Sequence, residues 1–120
     1  MPTAVDHVRL AAPPGSEDRL RAYYAAVLGM AEVPKPPIPA VRGGCWFRAG
    51  DIRLHLGIED DFRPAWKAHP GLRVTGIEAY ATRLACHGAP VIWDDGLPGH
   101  RRFYSEDPVG NLLEFLEPSG

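Results

Sequence analysis

The sequence predicts an α+β fold made of two similar halves, and three observations carry that prediction. The opening Asp6-His7-Val8-Arg9-Leu10 has a second version at Ala68-His69-Pro70-Gly71-Leu72-Arg73-Val74. Each version is followed by a helical stretch that a glycine stops, then by short β-prone runs separated by turn residues. The later polar residues repeat their spacing too: His7 to His55 spans 48 positions and His69 to Glu114 spans 45. Halves of roughly 50 to 60 residues rarely bury a core alone. The expected organisation is therefore one domain over 1–120, with module 1 at about 4–60 and module 2 at about 67–118, sharing a core and turning matching strand ends toward a common cleft.

Val5 to Ala11 alternates and stops at Pro13-Pro14-Gly15, which reads as a strand with His7 and Arg9 on one face and Val8 and Leu10 on the other. Ser16 is the expected N-cap of a helix of about 13 residues, with Glu17 and Asp18 in its first turn and Gly29 as its stop. Leu20, Tyr23, Tyr24, Val27 and Leu28 form its apolar stripe. Pro34 to Pro39 holds four prolines and is expected as extended surface chain. Gly43 to Arg48 and Ile52 to Ile58 flank Ala49-Gly50-Asp51, a hairpin signal, and alternation sets Arg53, His55 and Gly57 opposite Leu54 and Leu56. The charged stretch Glu59 to Lys67 connects the halves.

The second half replays this order. A strand is expected from His69 to Val74, a helix from Ile77 to His87 stopped by Gly88, and a short strand from Val91 to Trp93. Asp94 to Gly99 reads as a loop, Arg101 to Ser105 as a strand, Asp107-Pro108-Val109-Gly110-Asn111 as a turn, and Leu112 to Leu116 as the last strand. Val8, Leu10, Leu72 and Val74 are expected in the core. His87 and His100 are expected on the surface, the latter in a loop.

Composition narrows the function. Thirteen Lys and Arg stand against fifteen Asp and Glu, a formal net charge of −2, and no run of one sign tracks a phosphate backbone. A nucleic-acid partner is not expected. The N-terminus lacks a basic region followed by an apolar block, and no apolar run approaches the roughly 20 residues of a membrane span, so a cytoplasmic protein without a membrane partner is expected. Cys45 and Cys86 have neither the number nor the spacing of a disulfide framework or zinc knuckle, and both read as buried thiols.

The duplication gives equivalent places to four potential ligands: His7 and His69 on the first strand of each half, His55 and Glu114 on the last. A lone strand histidine is more often a hydrogen-bonded core or surface residue. Three imidazoles and a carboxylate at repeated positions can instead hold one divalent ion and leave two octahedral positions open for chemistry. Around them, Arg9 and Arg73 share faces with the two first-strand histidines and suit an anionic group or Glu114, with a plain salt bridge as the alternative. Arg102 and Tyr104 share a face, and either Trp46 or Phe47 should line the cavity while the other packs under the helix.

The chain resembles the vicinal oxygen chelate superfamily, also called the glyoxalase/bleomycin-resistance/dioxygenase family. The carriers are Asp6-His7-Val8-Arg9-Leu10, Tyr23-Tyr24-Ala25-Ala26-Val27-Leu28-Gly29-Met30, Leu54-His55-Leu56-Gly57, His69-Pro70-Gly71-Leu72-Arg73-Val74, and Asp107-Pro108-Val109-Gly110-Asn111-Leu112-Leu113-Glu114-Phe115. The resemblance covers nearly the whole chain. It implies paired βαβββ modules whose eight strands curl into a partly open barrel around a metal (Fe, Zn, Ni, Co or Mn). It implies His7, His69 and Glu114 as ligands, and His55 where relatives commonly carry Glu or Gln. It also implies a homodimer, with modules shared or not.

The function so implied is a divalent-metal-dependent enzyme acting on a small molecule with adjacent oxygens, of lyase, isomerase/epimerase or dioxygenase type. By resemblance to glyoxalase I, Glu114 would be catalytic, leaving the metal to carry a proton. Two alternatives belong to other classes: a non-catalytic protein that sequesters an antibiotic or other small molecule, and a thiol transferase acting on an epoxide antibiotic. Arg9, Trp46, Arg73, Arg102 and Tyr104 are the expected substrate-binding residues.

Overall fold

Alternating short runs become strands, and the two glycine stops end the helices between them. In the computed structural model, residues 1–37 and 43–120 are described; Ile38 and Pro39, the end of the proline-rich stretch, lie outside the described residues. The chain divides into two compact units, Met1–Pro64 and Ala65–Gly120. The first holds β1 (Val8–Ala12), α1 (Glu17–Arg21, continued as a π-helix over Ala22–Val27), β2 (Ala31–Val33), β3 (Cys45–Ala49) and β4 (Ile52–Ile58). The second holds β5 (Gly71–Arg73), α2 (Ile77–Cys86), β6 (Ile92–Asp94), β7 (His100–Glu106) and β8 (Leu112–Pro118). Each unit is thus βαβββ, the α+β module expected.

The sheets repeat each other. The first is ordered β1-β4-β3-β2 and the second β5-β8-β7-β6, each with its first and last strands parallel and the others antiparallel. Beneath the first sheet, Leu20, Tyr24, Phe47, Leu54 and Leu56 are buried, and the Tyr24 and Phe47 rings stack at 5.2 Å. Beneath the second, Leu84, Phe103, Leu113 and Phe115 are buried, with Phe103 stacked on Phe115 at 5.2 Å. Burying these aromatic and aliphatic side chains drives each sheet onto its helix.

Several local expectations need correction. The first strand begins at Val8 rather than Val5, and β5 at Gly71, so His7 and His69 precede their strands instead of lying in them. Val8, Leu10, Leu72 and Val74 are half-buried, because β1 and β5 are edge strands of their sheets. Ser16 occupies the N-cap position, but its hydroxyl donates back to the Pro13 carbonyl at 2.7 Å instead of capping the helix. The helix it opens widens into π geometry, which turns Tyr23, Tyr24, Val27 and Leu28 inward together. At its end the Met30 amide donates to the Tyr24 carbonyl at 2.9 Å around Gly29, whose φ of 83° suits a Schellman stop; Gly88, at φ 80°, ends α2.

Strand β2 was not expected; three residues on a sheet edge give too short a pattern to read. Asp94 closes β6 and His100 opens β7, so neither lies in a loop. Cys45 is buried, but Cys86 is exposed, since α2 turns Ile77, Ala81 and Leu84 inward and leaves Cys86 off that stripe. The start of α2 has a remote cap: the Gly76 and Ile77 amides donate to the Glu117 carboxylate at 2.8 and 3.1 Å.

Candidate functional site

Strand register explains how the duplicated residues are placed. In the first unit Arg9 pairs with His55 across the parallel β1 and β4, so His7 lies two residues ahead of the residue opposite His55. In the second unit Gly71 pairs with Glu114 across β5 and β8, so His69 lies two residues ahead of the residue opposite Glu114. The antiparallel neighbour repeats as well: Trp46 stands opposite His55, and Tyr104 opposite Glu114. Each unit therefore brings one pair of candidate ligands together beside an aromatic side chain.

In the first unit the pair is held by stacking. The His55 ring lies between Trp46, 3.9 Å away and nearly coplanar in tilt, and His7, 4.3 Å away. Trp46 is thus on the His55 face, while Phe47 packs under the helix against Tyr24. His55 is buried, and its Nδ1 has no hydrogen-bond partner. Burial, with the nearby His7 and Arg9 charges, pushes its pKa below the ordinary imidazole value. His7 Nδ1 bonds Asp6 Oδ1 at 3.0 Å, and Asp6 is held below the usual carboxylate range, chiefly by that bond. The Arg9 guanidinium runs across Gly57, where an added Cβ would lie 2.9 Å from Nη1. Arg9 and Gly57 accordingly share the His55 face.

In the second unit the pair is held by charge. His69 Nε2 and Glu114 Oε1 are 2.8 Å apart, and His69 Nδ1 lies 2.6 Å from the Lys67 carbonyl, to which it donates. Burial opposes a charged ring here, but the Lys67 carbonyl and Glu114 carboxylate outweigh it and raise the His69 pKa. Arg102 donates from Nη1 to Glu114 Oε2 at 3.2 Å, and from Nε and Nη2 to Asp94 Oδ1 at 3.0 and 2.9 Å. Asp94 Oδ1 also accepts the Gly96 amide at 2.8 Å. The Tyr104 ring stands edge-on to His69 at 5.5 Å and beneath the Arg102 guanidinium at 5.3 Å.

The expected residues therefore fall into two groups: His7, His55, Trp46 and Arg9 in the first unit, and His69, Glu114, Arg102 and Tyr104 in the second. Arg73 is exposed; the guanidinium on Glu114 belongs to Arg102. Among the described residues, no three His, Cys, Asp or Glu side chains are gathered so as to hold a metal ion. Sequence reasoning missed Asp94, Asp6 and the Lys67 carbonyl. The signal for Asp94 was present in the β6–β7 hairpin, whose register sets Asp94 opposite Arg102.

The donors nevertheless suit a divalent cation. Two ligands bound at right angles with ~2.1 Å bonds lie about 3 Å apart, close to the 2.8 Å between His69 Nε2 and Glu114 Oε1. The carbonyl on His69 Nδ1 fixes the orientation of that ring and turns Nε2 toward Glu114. In the first unit, separately, His55 Nδ1 is a buried ring nitrogen without a hydrogen-bond partner.

Comparison with known proteins agrees with the fold. The sequence profile of the glyoxalase-like domain family matches residues 14–116. A protein from Bacillus anthracis described as of the glyoxalase family is 43% identical, with 99% of this chain and 98% of that one covered and a TM-score of 0.96. The fosfomycin resistance protein FosX from Listeria monocytogenes, complexed as a variant with Mn(II) and 1S,2S-dihydroxypropylphosphonic acid, is 14% identical over 99% of this chain and 95% of its own, with a TM-score of 0.81. A lactoylglutathione lyase from Agrobacterium tumefaciens is 23% identical over 97% and 94%, with a TM-score of 0.72. No curated protein sequence matches significantly.

Proposed function

The chain belongs to the glyoxalase-like domain family, within the glyoxalase/bleomycin-resistance/dioxygenase superfamily, and from that premise we propose that it is a divalent-metal-dependent enzyme acting on a small molecule with adjacent oxygens. His7, His55, His69 and Glu114 are the ligands proposed for the ion. The observation that carries this reading is the 2.8 Å approach of His69 Nε2 to Glu114 Oε1, with Nδ1 anchored on a carbonyl. A cation could replace the hydrogen bond that joins this ring nitrogen to the carboxylate oxygen. The structural likeness to FosX, which was solved with Mn(II), is compatible with such a site.

A divalent ion bound there supplies Lewis acidity, polarising a substrate oxygen and stabilising the negative charge that develops on it. The remaining work falls to the chain's side chains. With an ion bound, the Asp6 and Lys67 carbonyl contacts on Nδ1 would leave Nε2 of His7 and of His69 to face it. Trp46 holds the His55 plane. Arg9 offers a cation to an acidic substrate group, and Tyr104 a ring and a hydroxyl beside Glu114. Lyase, isomerase and dioxygenase chemistry all draw on this set, and a homodimer is the expected assembly.

Metal analysis of purified protein tests the proposal. One divalent ion per chain is expected, and its loss in His7→Ala and in His69→Ala tests each residue as a ligand. Hemithioacetals, catechols and acyl-CoA epimers are then the substrates to screen on metal-loaded protein. A protein that takes up no divalent ion and still binds small molecules would instead be a sequestering protein.

A further inference from the structure

Beyond the ligand set, and resting on the metal reading above, we propose that Arg102, braced by Asp94, is a positioning residue that pins Oε2 of Glu114 and leaves only Oε1 for a cation. The guanidinium is a rigid planar fork, and here its arms are divided. Nε and Nη2 are both committed to Asp94 Oδ1, at 3.0 and 2.9 Å, which aims Nη1 at Glu114 Oε2, 3.2 Å away. Asp94 is held in turn by the Gly96 amide at 2.8 Å, and the Tyr104 ring closes one face of the guanidinium. The brace therefore runs from a backbone amide through Asp94 and Arg102 to a carboxylate in the buried part of β8.

The consequence is chemical. The two oxygens of Glu114 face different partners, His69 on Oε1 and Arg102 on Oε2. With Oε2 held by a guanidinium that is only 17% exposed, the oxygen free to meet a cation or a proton is Oε1, which faces His69. Arg102 thus keeps Glu114 a fixed, one-oxygen ligand.

Difference infrared spectroscopy of the full-length protein with and without Mn2+ tests this, with Glu114→Gln assigning the carboxylate bands. Wild type should show widely split antisymmetric and symmetric stretches, the mark of one-oxygen binding. The splitting should narrow in Arg102→Ala, where Oε2 is free to join the ion, and narrow less in Arg102→Lys and Asp94→Asn. The last two variants keep the test decisive if Arg102→Ala fails to fold. A narrow splitting in wild type, or an unchanged one in variants that bind Mn2+, overturns the role of Arg102 alone. Failure of wild type to take up Mn2+ overturns the metal reading, and this proposal with it.

Discussion

The two units share strand order, register and the spacing of their candidate ligands, yet they secure those ligands by different forces. In the first, Trp46, His55 and His7 form a ring stack with a buried nitrogen left unpaired. In the second, His69, Glu114, Arg102 and Asp94 form a charged chain with Tyr104 alongside. The difference teaches that a duplicated backbone fixes where a ligand stands, while its neighbours fix how it is held. A stack tolerates a neutral ring and excludes water; an ion-paired ring needs a counter-charge and keeps it oriented.

The hairpins that deliver His55 and Glu114 differ in the same manner, and breaking them should have the largest effect. The first uses a two-residue Gly50-Asp51 turn in which Asp51 is exposed. The second is organised by buried Asp107, which accepts the Val109 and Asn111 amides at 3.0 and 2.9 Å on Oδ1 and the Asn111 side-chain amide at 2.9 Å on Oδ2. Asp107→Ala should cost about 3 kcal/mol, since each bond is worth roughly 1 kcal/mol and two of the donors are left buried. Asp51→Ala should fall within about 0.5 kcal/mol of wild type. Chemical denaturation of both variants measures the contrast, and equal losses would show that the turns do not differ as described.

Trp46 sharpens the comparison next. Trp46→Ala removes the plane on which His55 lies, and should cost about 2 kcal/mol, less than for a fully buried aromatic because Trp46 is half-exposed. It should also let water reach His55 and move its titration back toward the ordinary value. Tyr104→Ala, the equivalent change in the second unit, should leave His69 raised, because the Lys67 carbonyl and Glu114 hold it there. Proton NMR of the two rings distinguishes these outcomes. A parallel response would mean that the aromatic neighbour acts alike in both units.

Much of this was legible in the sequence, and the rest fails for identifiable reasons. The repeated His7 and His69 openings, the Gly29 and Gly88 stops and the Gly50-Asp51 hairpin signal each have a local cause, and each produced the expected element. The choice between Trp46 and Phe47 was also written there: a two-residue turn pairs Ala49 with Ile52 and hence Trp46 with His55. Asp94 escaped because a Gly/Pro-rich stretch hides its last strand residue, and only the β6–β7 register places it on Arg102. The π-helical widening over Ala22–Val27 has no spacing signature, since its apolar residues satisfy α and π periods equally. Strand starts depend on pairing partners distant in sequence, which is why both histidines proved to precede their strands.

The smallest effect is the one most specific to the comparison, an opposite response of the units to pH. His55 has a folded-state pKa below the 6.5 expected unfolded. Its contribution to stability is present above 6.5 and is lost as pH falls through the folded value, because the unfolded chain takes the proton more readily. His69 has a folded-state pKa above 6.5. Its contribution is complete below 6.5 and is lost as pH rises through the folded value, as the ring sheds the proton that binds it to Glu114. Acidification should therefore weaken the first unit by the same kind of linkage through which alkalinisation weakens the second. Titrating both rings by NMR in chelator-treated protein should give midpoints on opposite sides of 6.5, and midpoints on the same side would mean that stack and ion pair do not separate the two units electrostatically.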